Sequence, residues 1–246
     1  QVSGEKNDMD DFIQTLINHP PPLSQIDSME FVDIEPFDSD NFKILDSRTL
    51  VNAYLPVSPD ISTCDDCLRE MFNPQDRRYR YPFINCTNCG PRFSIAKDIP
   101  YDRHNTTMAS FQMCPACQRE YNNPLDRRYH AQPTACPDCG PQVQLIIEGK
   151  VIADADEAIL LSRQLIKEGK ILSIKGIGGY HLACDARNSQ AVSALRDRKK
   201  RSDKPFALMA YDMEAISKYC LITEGAKSLL TSKERPIVLL PVKNLF

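Results

Sequence analysis

Eight of the ten cysteines stand in four C-x-x-C pairs, Cys64/Cys67, Cys86/Cys89, Cys114/Cys117 and Cys136/Cys139. Two cysteines spaced in this way can turn both sulfurs onto one ion from a tight knuckle. A second knuckle 15–20 residues on completes a tetrahedral thiolate site. The intervals between pairs are 18, 24 and 18 residues, so the first two pairs recur 50 positions later. The surrounding sequence recurs with them: CDDCLREMFNPQDRRYRYPFINCTNCGP (64–91) and CPACQREYNNPLDRRYHAQPTACPDCGP (114–141) are identical at 14 of 28 positions. This pattern predicts a tandem duplication of a small metal module. Each copy is too short to bury a core, so metal must supply much of its folding free energy. The competing reading, a set of disulfides, suits a secreted chain, and the polar, acidic start QVSGEKNDMDD gives no sign of secretion.

Eight thiolates fill two closed tetrahedral sites, which predicts two structural zinc ions with no open position for a catalytic water. Repeat logic groups Cys64, Cys67, Cys86 and Cys89 on one ion and Cys114, Cys117, Cys136 and Cys139 on the other; an interleaved grouping uses the same eight ligands. Loss of Cys64 or Cys114 is expected to unfold its own module, whereas loss of Cys220 should leave the metal untouched. The DRRY motif lies between the knuckles of both copies (76–79 and 126–129), where its arginines could brace the thiolate clusters or contact phosphate. Interspersed acids and the lack of an aromatic platform argue against nucleic acid. His104 and His130 are surplus to two sites already filled by cysteine.

Two further stretches carry possible chemistry. In KGIGGYHLACD (175–185) the glycines would let backbone amides approach a ligand, with Lys175 at a strand end; the spacing matches neither a P-loop nor a dinucleotide fingerprint, so an ordinary turn is the alternative. RDRKKRSDKP (196–205) places six basic residues in ten at the end of a helix. Such a run can be a solvated face, a nuclear-targeting signal or a nucleic-acid contact, but beside the glycine turn it also suits a triphosphate.

The elements that must position these residues follow from periodicity. DMDDFIQTLIN (8–18) reads as a helix stopped by Pro20–Pro22, and SMEFVDI (28–34) and FKIL (42–45) read as strands. Beyond the metal region the pattern becomes α/β. A helix starts at Asp154 with a Glu157 capping box and stops at Gly169, and the strand ILSIK (171–175) follows. A helix capped by Asn188 comes next, then the apolar segments FALMA (206–210) and PIVLLP (236–241) around a short helix at 213–219. A mixed sheet with helices is expected.

Composition sets the frame. The chain has 246 residues, 42% apolar and 26% charged, which excludes wholesale disorder and fibrous classes. No apolar run is long enough to span a membrane, and a cytoplasmic location is expected. The net charge of −3 divides unevenly: residues 1–50 hold eleven acidic and three basic groups, leaving the rest at +5.

Taken together, the duplicated cysteine array with its DRRY repeats, PYDRHNTTM (100–108), KGIGGYHLACDA and RKKRSDKPFALM resemble the HypF family of hydrogenase maturation carbamoyltransferases over nearly the whole chain. The resemblance implies an α+β multidomain chain. Residues 1–50 would be the C-terminal half of an acylphosphatase-like α/β sandwich, 51–146 tandem zinc-finger modules, and 147–246 the first half of a YrdC-like domain with a fold like that of double-stranded-RNA-binding proteins. It also implies chemistry: carbamoyl phosphate and ATP give an enzyme-bound carbamoyl-adenylate, and the carbamoyl group passes to the C-terminal cysteine of a HypE-type acceptor for cyanide-ligand synthesis. By position, Arg198, Lys199, Lys200, Arg201 and Lys204 would bind phosphates, and Lys175, Gly178, Gly179, Tyr180 and His181 would line the nucleotide and acyl pocket. The acylphosphatase phosphate loop, with its catalytic arginine and asparagine, would precede Gln1. The serine/threonine-rich nucleotide motif and the transfer domain would follow Phe246. A fragment is therefore expected, with a zinc-stabilised binding module as the alternative function and no membrane partner.

Overall fold

The computed structural model describes residues 2–24, 26–35, 37, 42, 44, 57–176, 178–200 and 203–243. These divide into two compact units, Gln1–Gly140 and Pro141–Phe246.

In the first unit, α1 (Lys6–Asn18) follows the expected helical spacing and buries none of its residues. Residues 28–34 form no strand and join no ladder among the described residues. The predicted strand 42–45 falls partly outside the described residues. The rest of the unit is built from two short helices, α2 (Asp65–Phe72) and α3 (Pro115–Asn122), joined by single helical turns such as Thr87–Cys89 and Thr107–Ser110. Its core consists of sulfur as much as hydrocarbon: Cys64, Cys67, Cys86 and Cys89 cluster with Tyr81, Ile84, Met108 and Ala135. A core of that size supplies little hydrophobic free energy, as the short repeat predicts.

The second unit contains two antiparallel hairpins and four helices among its described residues. Strands β1 (Gln144–Ile147) and β2 (Lys150–Asp154) meet through Glu148 and Gly149, both at positive φ as a two-residue primed turn requires. Helix α4 (Ala155–Lys167) lays Ala158 on Leu145 and Ala153, with Val143, Leu161 and Leu165 around them. It ends where predicted. Gly169 takes φ +81, its amide donates to the Ile166 carbonyl and that of Lys170 to Leu165, the double closure of a glycine-terminated helix. The Asp154 side chain, in contrast, makes no capping bond.

Strands β3 (Leu172–Gly176) and β4 (Gly179–Ala183) form the second hairpin. Helix α5 (Ser189–Lys199) is capped by the Asn188 side chain, which accepts from the Ala191 amide at 3.0 Å. Helices α6 (Met213–Ser217) and α7 (Glu224–Thr231) complete the unit. The expected mixed sheet is replaced by these two separate hairpins. FALMA and PIVLLP form no strand among the described residues; only the end of PIVLLP is paired, where the Leu221 amide donates to the Pro241 carbonyl at 2.8 Å and Cys220 bridges Val242, and Leu208, Met209, Ile237 and Leu239 are exposed. The class remains α+β: two tetra-cysteine modules in the first unit and an α/β region in the second.

Candidate functional site

The C-x-x-C pairs take the same local form in both repeats. Cys64 is the N-cap of α2 and Cys114 of α3, and each sulfur accepts the amide of the cysteine three residues on at 3.5 Å. Each helix thus begins with its amide dipoles aimed at the place where thiolate charge collects. The second knuckles lie beyond the DRRY motifs, and Gly90 (φ +71) lets the chain turn away after Cys89.

The four knuckles gather into two clusters. Cys64, Cys67, Cys86 and Cys89 form one and Cys114, Cys117, Cys136 and Cys139 the other, with all sulfurs of a cluster within 4.8 Å of one another. The grouping is consecutive; the interleaved alternative is not formed. A tetrahedron with Zn–S bonds of about 2.3 Å has S···S edges of about 3.8 Å. The Cys64–Cys86 and Cys86–Cys89 edges are 3.6 and 3.9 Å, and the Cys114–Cys136, Cys136–Cys139 and Cys117–Cys139 edges 3.8, 3.7 and 3.6 Å. These separations are far longer than a disulfide and all ten cysteines are free, so the donor sets fit structural zinc. Burial pushes the Cys64 thiol up to about 11, while hydrogen bonds from Cys67 and Cys89 pull the Cys86 thiol down. Four sulfurs buried together in this way are what a divalent cation satisfies.

The arginines of the DRRY motifs do brace the clusters, but across the duplication. Arg77, from the first repeat, donates to Cys117 of the second at 2.8 Å and to Glu120 at 3.2 Å. Its neighbour Arg78, only 1% exposed, donates to the Glu120 carboxylate at 3.1 Å, to the Ala135 carbonyl at 2.9 Å and to Cys117 at 3.5 Å. The reciprocal set is present. Arg127 donates to Cys67 at 3.1 Å and also to Glu70, and Arg128 pairs with Glu70 and donates to the Asn85 carbonyl at 3.1 Å.

Asp76 and Asp126 shape both loops by accepting the amides of Arg78 and Arg128 at 2.7 and 2.8 Å. Burial alone would raise the Glu70 and Glu120 carboxyls, yet the paired arginines hold both below the usual carboxylate range. Buried guanidiniums and thiolates each require a partner, and each repeat obtains its partners from the other.

Sequence reasoning missed two further contributors. Arg103, in the PYDRHNTTM segment, donates to the carbonyls of Gln132, Thr134 and Phe111 at 2.6, 2.9 and 2.7 Å, tying the inter-repeat linker to the second module. Tyr81, in place of Ala131 of the other copy, fills the space beside Gly140. Neither departs from an ordinary side chain until the packing is known. Neither histidine belongs to a cluster: His104 is exposed, and the His130 ring stacks on Tyr121 at 4.8 Å. Cys184 and Cys220 lie outside both clusters.

The predicted nucleotide residues occupy two elements of the second unit. Lys175 and Tyr180 are cross-strand partners in the β3–β4 hairpin, with the Lys175 ammonium 4.9 Å from the Tyr180 ring centroid. His181 faces Ile174, Gly179 pairs with Gly176, and Gly178 turns the hairpin at φ +87. Arg198 and Lys199 end α5, and Lys200 closes it at φ 49. The Lys204 carbonyl accepts from Arg196 at 3.2 Å, while Arg201 lies outside the described residues. The hairpin residues are together, as are those of α5, but α5 shares no extensive packing with β3 or β4 among the described residues. The glycine turn is thus the end of a hairpin rather than a strand-to-helix crevice.

Comparison with known proteins bears on both units. The family described as HypF finger matches twice, over residues 63–96 and 113–146, and the Sua5/YciO/YrdC family, described as telomere recombination, matches residues 164–245. The chain is 50% identical to the probable carbamoyltransferase HypF of Methanocaldococcus jannaschii over 97% of its own length and 31% of that protein. It is 49% identical to the carbamoyltransferase HypF of Synechocystis sp., covering 98% of this chain and 32% of that one. Among solved structures, full-length HypF in the phosphate- and nucleotide-bound form superposes with a TM-score of 0.86 at 50% identity, covering 98% of this chain and 31% of that one. The HypF of T. kodakarensis gives 0.82 at 44%, covering 100% and 31%. The chain therefore spans about a third of the length of the relatives it matches.

Proposed function

The chain belongs to the HypF family, and from that premise we propose that it is the zinc-finger and nucleotide-entry segment of a carbamoyltransferase. The reaction takes carbamoyl phosphate and ATP, forms carbamoyl-adenylate and passes the carbamoyl group to the C-terminal cysteine of a HypE-type acceptor, the step that precedes cyanide-ligand synthesis for a nickel-iron hydrogenase. The observation that carries this reading is the identity of about half the residues with carbamoyltransferases over almost the whole chain, spanning both cysteine clusters and the basic segment. A cytoplasmic setting agrees with ten unpaired cysteines. No helix among the described residues is long and apolar enough to cross a membrane.

In this reading residues 1–50 contribute to an acylphosphatase-like domain, 51–146 form the zinc-finger modules and 147–246 open the YrdC-like domain. Cys64, Cys67, Cys86 and Cys89, with Cys114, Cys117, Cys136 and Cys139, hold two structural zinc ions. These ions supply folding free energy rather than a reactive centre, because all four positions of each are taken by protein. The nucleotide falls to the second unit. Arg198, Lys199, Lys200, Arg201 and Lys204 meet the phosphates, where adenylation concentrates negative charge on departing pyrophosphate. A helix C-terminus is a favourable place to hold these cations before ligand arrives. Lys175, Gly178, Gly179, Tyr180 and His181 line the base and acyl side.

The test is charge reversal in the full-length polypeptide that carries this segment. Each charge-assisted phosphate contact is worth about 1.5–3 kcal/mol, so Arg198→Glu with Lys200→Glu should weaken ATP binding by at least about a hundredfold. Carbamoyl-phosphate-dependent ATP–pyrophosphate exchange should fall with it. The melting temperature should change little, since solvated cations contribute little to folding. A change of less than about tenfold removes the phosphate assignment. Loss of a strongly salt-dependent RNA or DNA affinity instead points to the binding-module alternative.

A further inference from the structure

We propose that the two four-thiolate centres load and release zinc as one cooperative unit, because each repeat carries the arginine pair that neutralises the other repeat's thiolates. The inference rests on reading both centres as zinc sites and adds to it the coupling between them. A divalent ion held by four thiolates is a doubly negative group, and inside protein such charge requires fixed counter-charge. A local arginine is available in α2, but Arg69 pairs with Asp66 and is mostly exposed. The counter-charge comes from across the duplication: Arg77 and Arg78 at the second centre, Arg127 and Arg128 at the first.

The same arginines are anchored on both sides of the centre they serve. Arg78 is held by Glu120 on α3, the helix that Cys114 caps, and by the carbonyl of Ala135, which precedes Cys136. Arg128 is held by Glu70 on α2, which Cys64 caps, and by the carbonyl of Asn85, which precedes Cys86. The backbone repeats the exchange, as the Thr87 amide and hydroxyl both donate to the Arg127 carbonyl, at 3.1 and 2.9 Å.

Loss of the second ion releases α3 and the knuckle at 136–139, and with them the anchors of Arg77 and Arg78. It also loosens the loop between those knuckles, which bears Arg127 and Arg128. The first centre then loses its two counter-charges. The argument runs identically in reverse, so the half-loaded protein is the least favourable state.

Stepwise removal of zinc by a chelator tests this, with native mass spectrometry counting ions and alkylation followed by peptide mapping reporting which cysteines open. Two independent equal sites pass through about half one-zinc chains, whereas a coupling of about tenfold holds that species to about a quarter. The wild type should stay at or below a quarter. Arg77→Gln, a substitution at a partly exposed position that leaves no buried void, should expose Cys114, Cys117, Cys136 and Cys139 first, at a chelator concentration at least about tenfold lower. Arg127→Gln should instead expose the cysteines at 64–89 first. Arg77→Lys, which keeps the charge without the planar fork, should recover part of the difference.

A wild-type one-zinc population of half or more overturns the proposal, as does a substitution that opens the cysteines of its own repeat first. A wild-type protein purified with fewer than two ions strikes the underlying zinc reading.

Discussion

Replacing Cys117 with serine should abolish the folded state of the second repeat and loosen the first, with zinc content falling from two ions towards none. Cys117 is fully buried, provides one of four sulfurs and accepts hydrogen bonds from both Arg77 and Arg78. Structural zinc contributes about 10–16 kcal/mol to folding in zinc-finger peptides, which rivals or exceeds the whole stability of an ordinary domain. The apolar residues of the first unit's core cluster, Tyr81, Ile84, Met108 and Ala135, are too few to replace it. The spacing of the cysteines alone predicts that only the mutated module unfolds; the exchanged arginines extend the damage. Two measurements check this, zinc content and protection of the segment 57–140 against limited proteolysis. Cys220→Ser, outside both clusters, should leave both unchanged. A Cys117→Ser protein with two ions and wild-type protection would falsify the structural role of the second centre.

Gly140→Ala should destabilise the second module by about 3 kcal/mol or more, while the equivalent Gly90→Ala should cost about 1–2 kcal/mol. The two glycines occupy the same position of the repeat, after the last cysteine, but for different reasons. Gly90 lies at φ +71 in open surroundings, its nearest neighbour to an added Cβ being Ile61 at 3.8 Å, so the penalty there is conformational. A Cβ at Gly140 would stand 2.0 Å from the Tyr81 hydroxyl and 2.6 Å from the Ala135 Cβ. The Tyr81 ring is buried and packs edge-on against Phe83, so moving it aside disturbs the core. Relief should come from the second site: Gly140→Ala combined with Tyr81→Phe removes the nearest atom and should regain part of the loss. Thermal unfolding of the four proteins forms the cycle. Equal penalties at Gly90 and Gly140 would contradict the steric account.

What the sequence makes legible here is local. Cysteine type, spacing and duplication are readable because a knuckle is closed within four residues, and the consecutive grouping follows from treating the repeat as a unit. The exchange of Arg77 and Arg78 for Arg127 and Arg128 is not legible. A DRRY motif looks the same whether its side chains serve their own knuckles or partners 40 to 60 positions away in the other repeat.

The second unit shows the opposite limit. FALMA and PIVLLP have strand composition, but a strand is defined by paired neighbours, and among the described residues the pairing is limited to one antiparallel bridge, Cys220 with Val242, at the end of PIVLLP. Helices α4 and α5 are legible, since their caps at Gly169 and Asn188 are local signals. The glycines at 176–179 suggest a ligand turn equally well as a hairpin; the pairing of Gly176 with Gly179 shows the hairpin.

The most direct test of the account is a joint count of zinc and reactive thiols on the native protein, by elemental analysis and by titration without denaturant or chelator. Ten cysteines are present, eight in the two clusters and two, Cys184 and Cys220, outside them. The prediction is two zinc ions per chain and no more than two thiols that react, the other eight appearing only when a chelator is added. One zinc ion or none per chain, or ten thiols reacting freely in the folded protein, would contradict it.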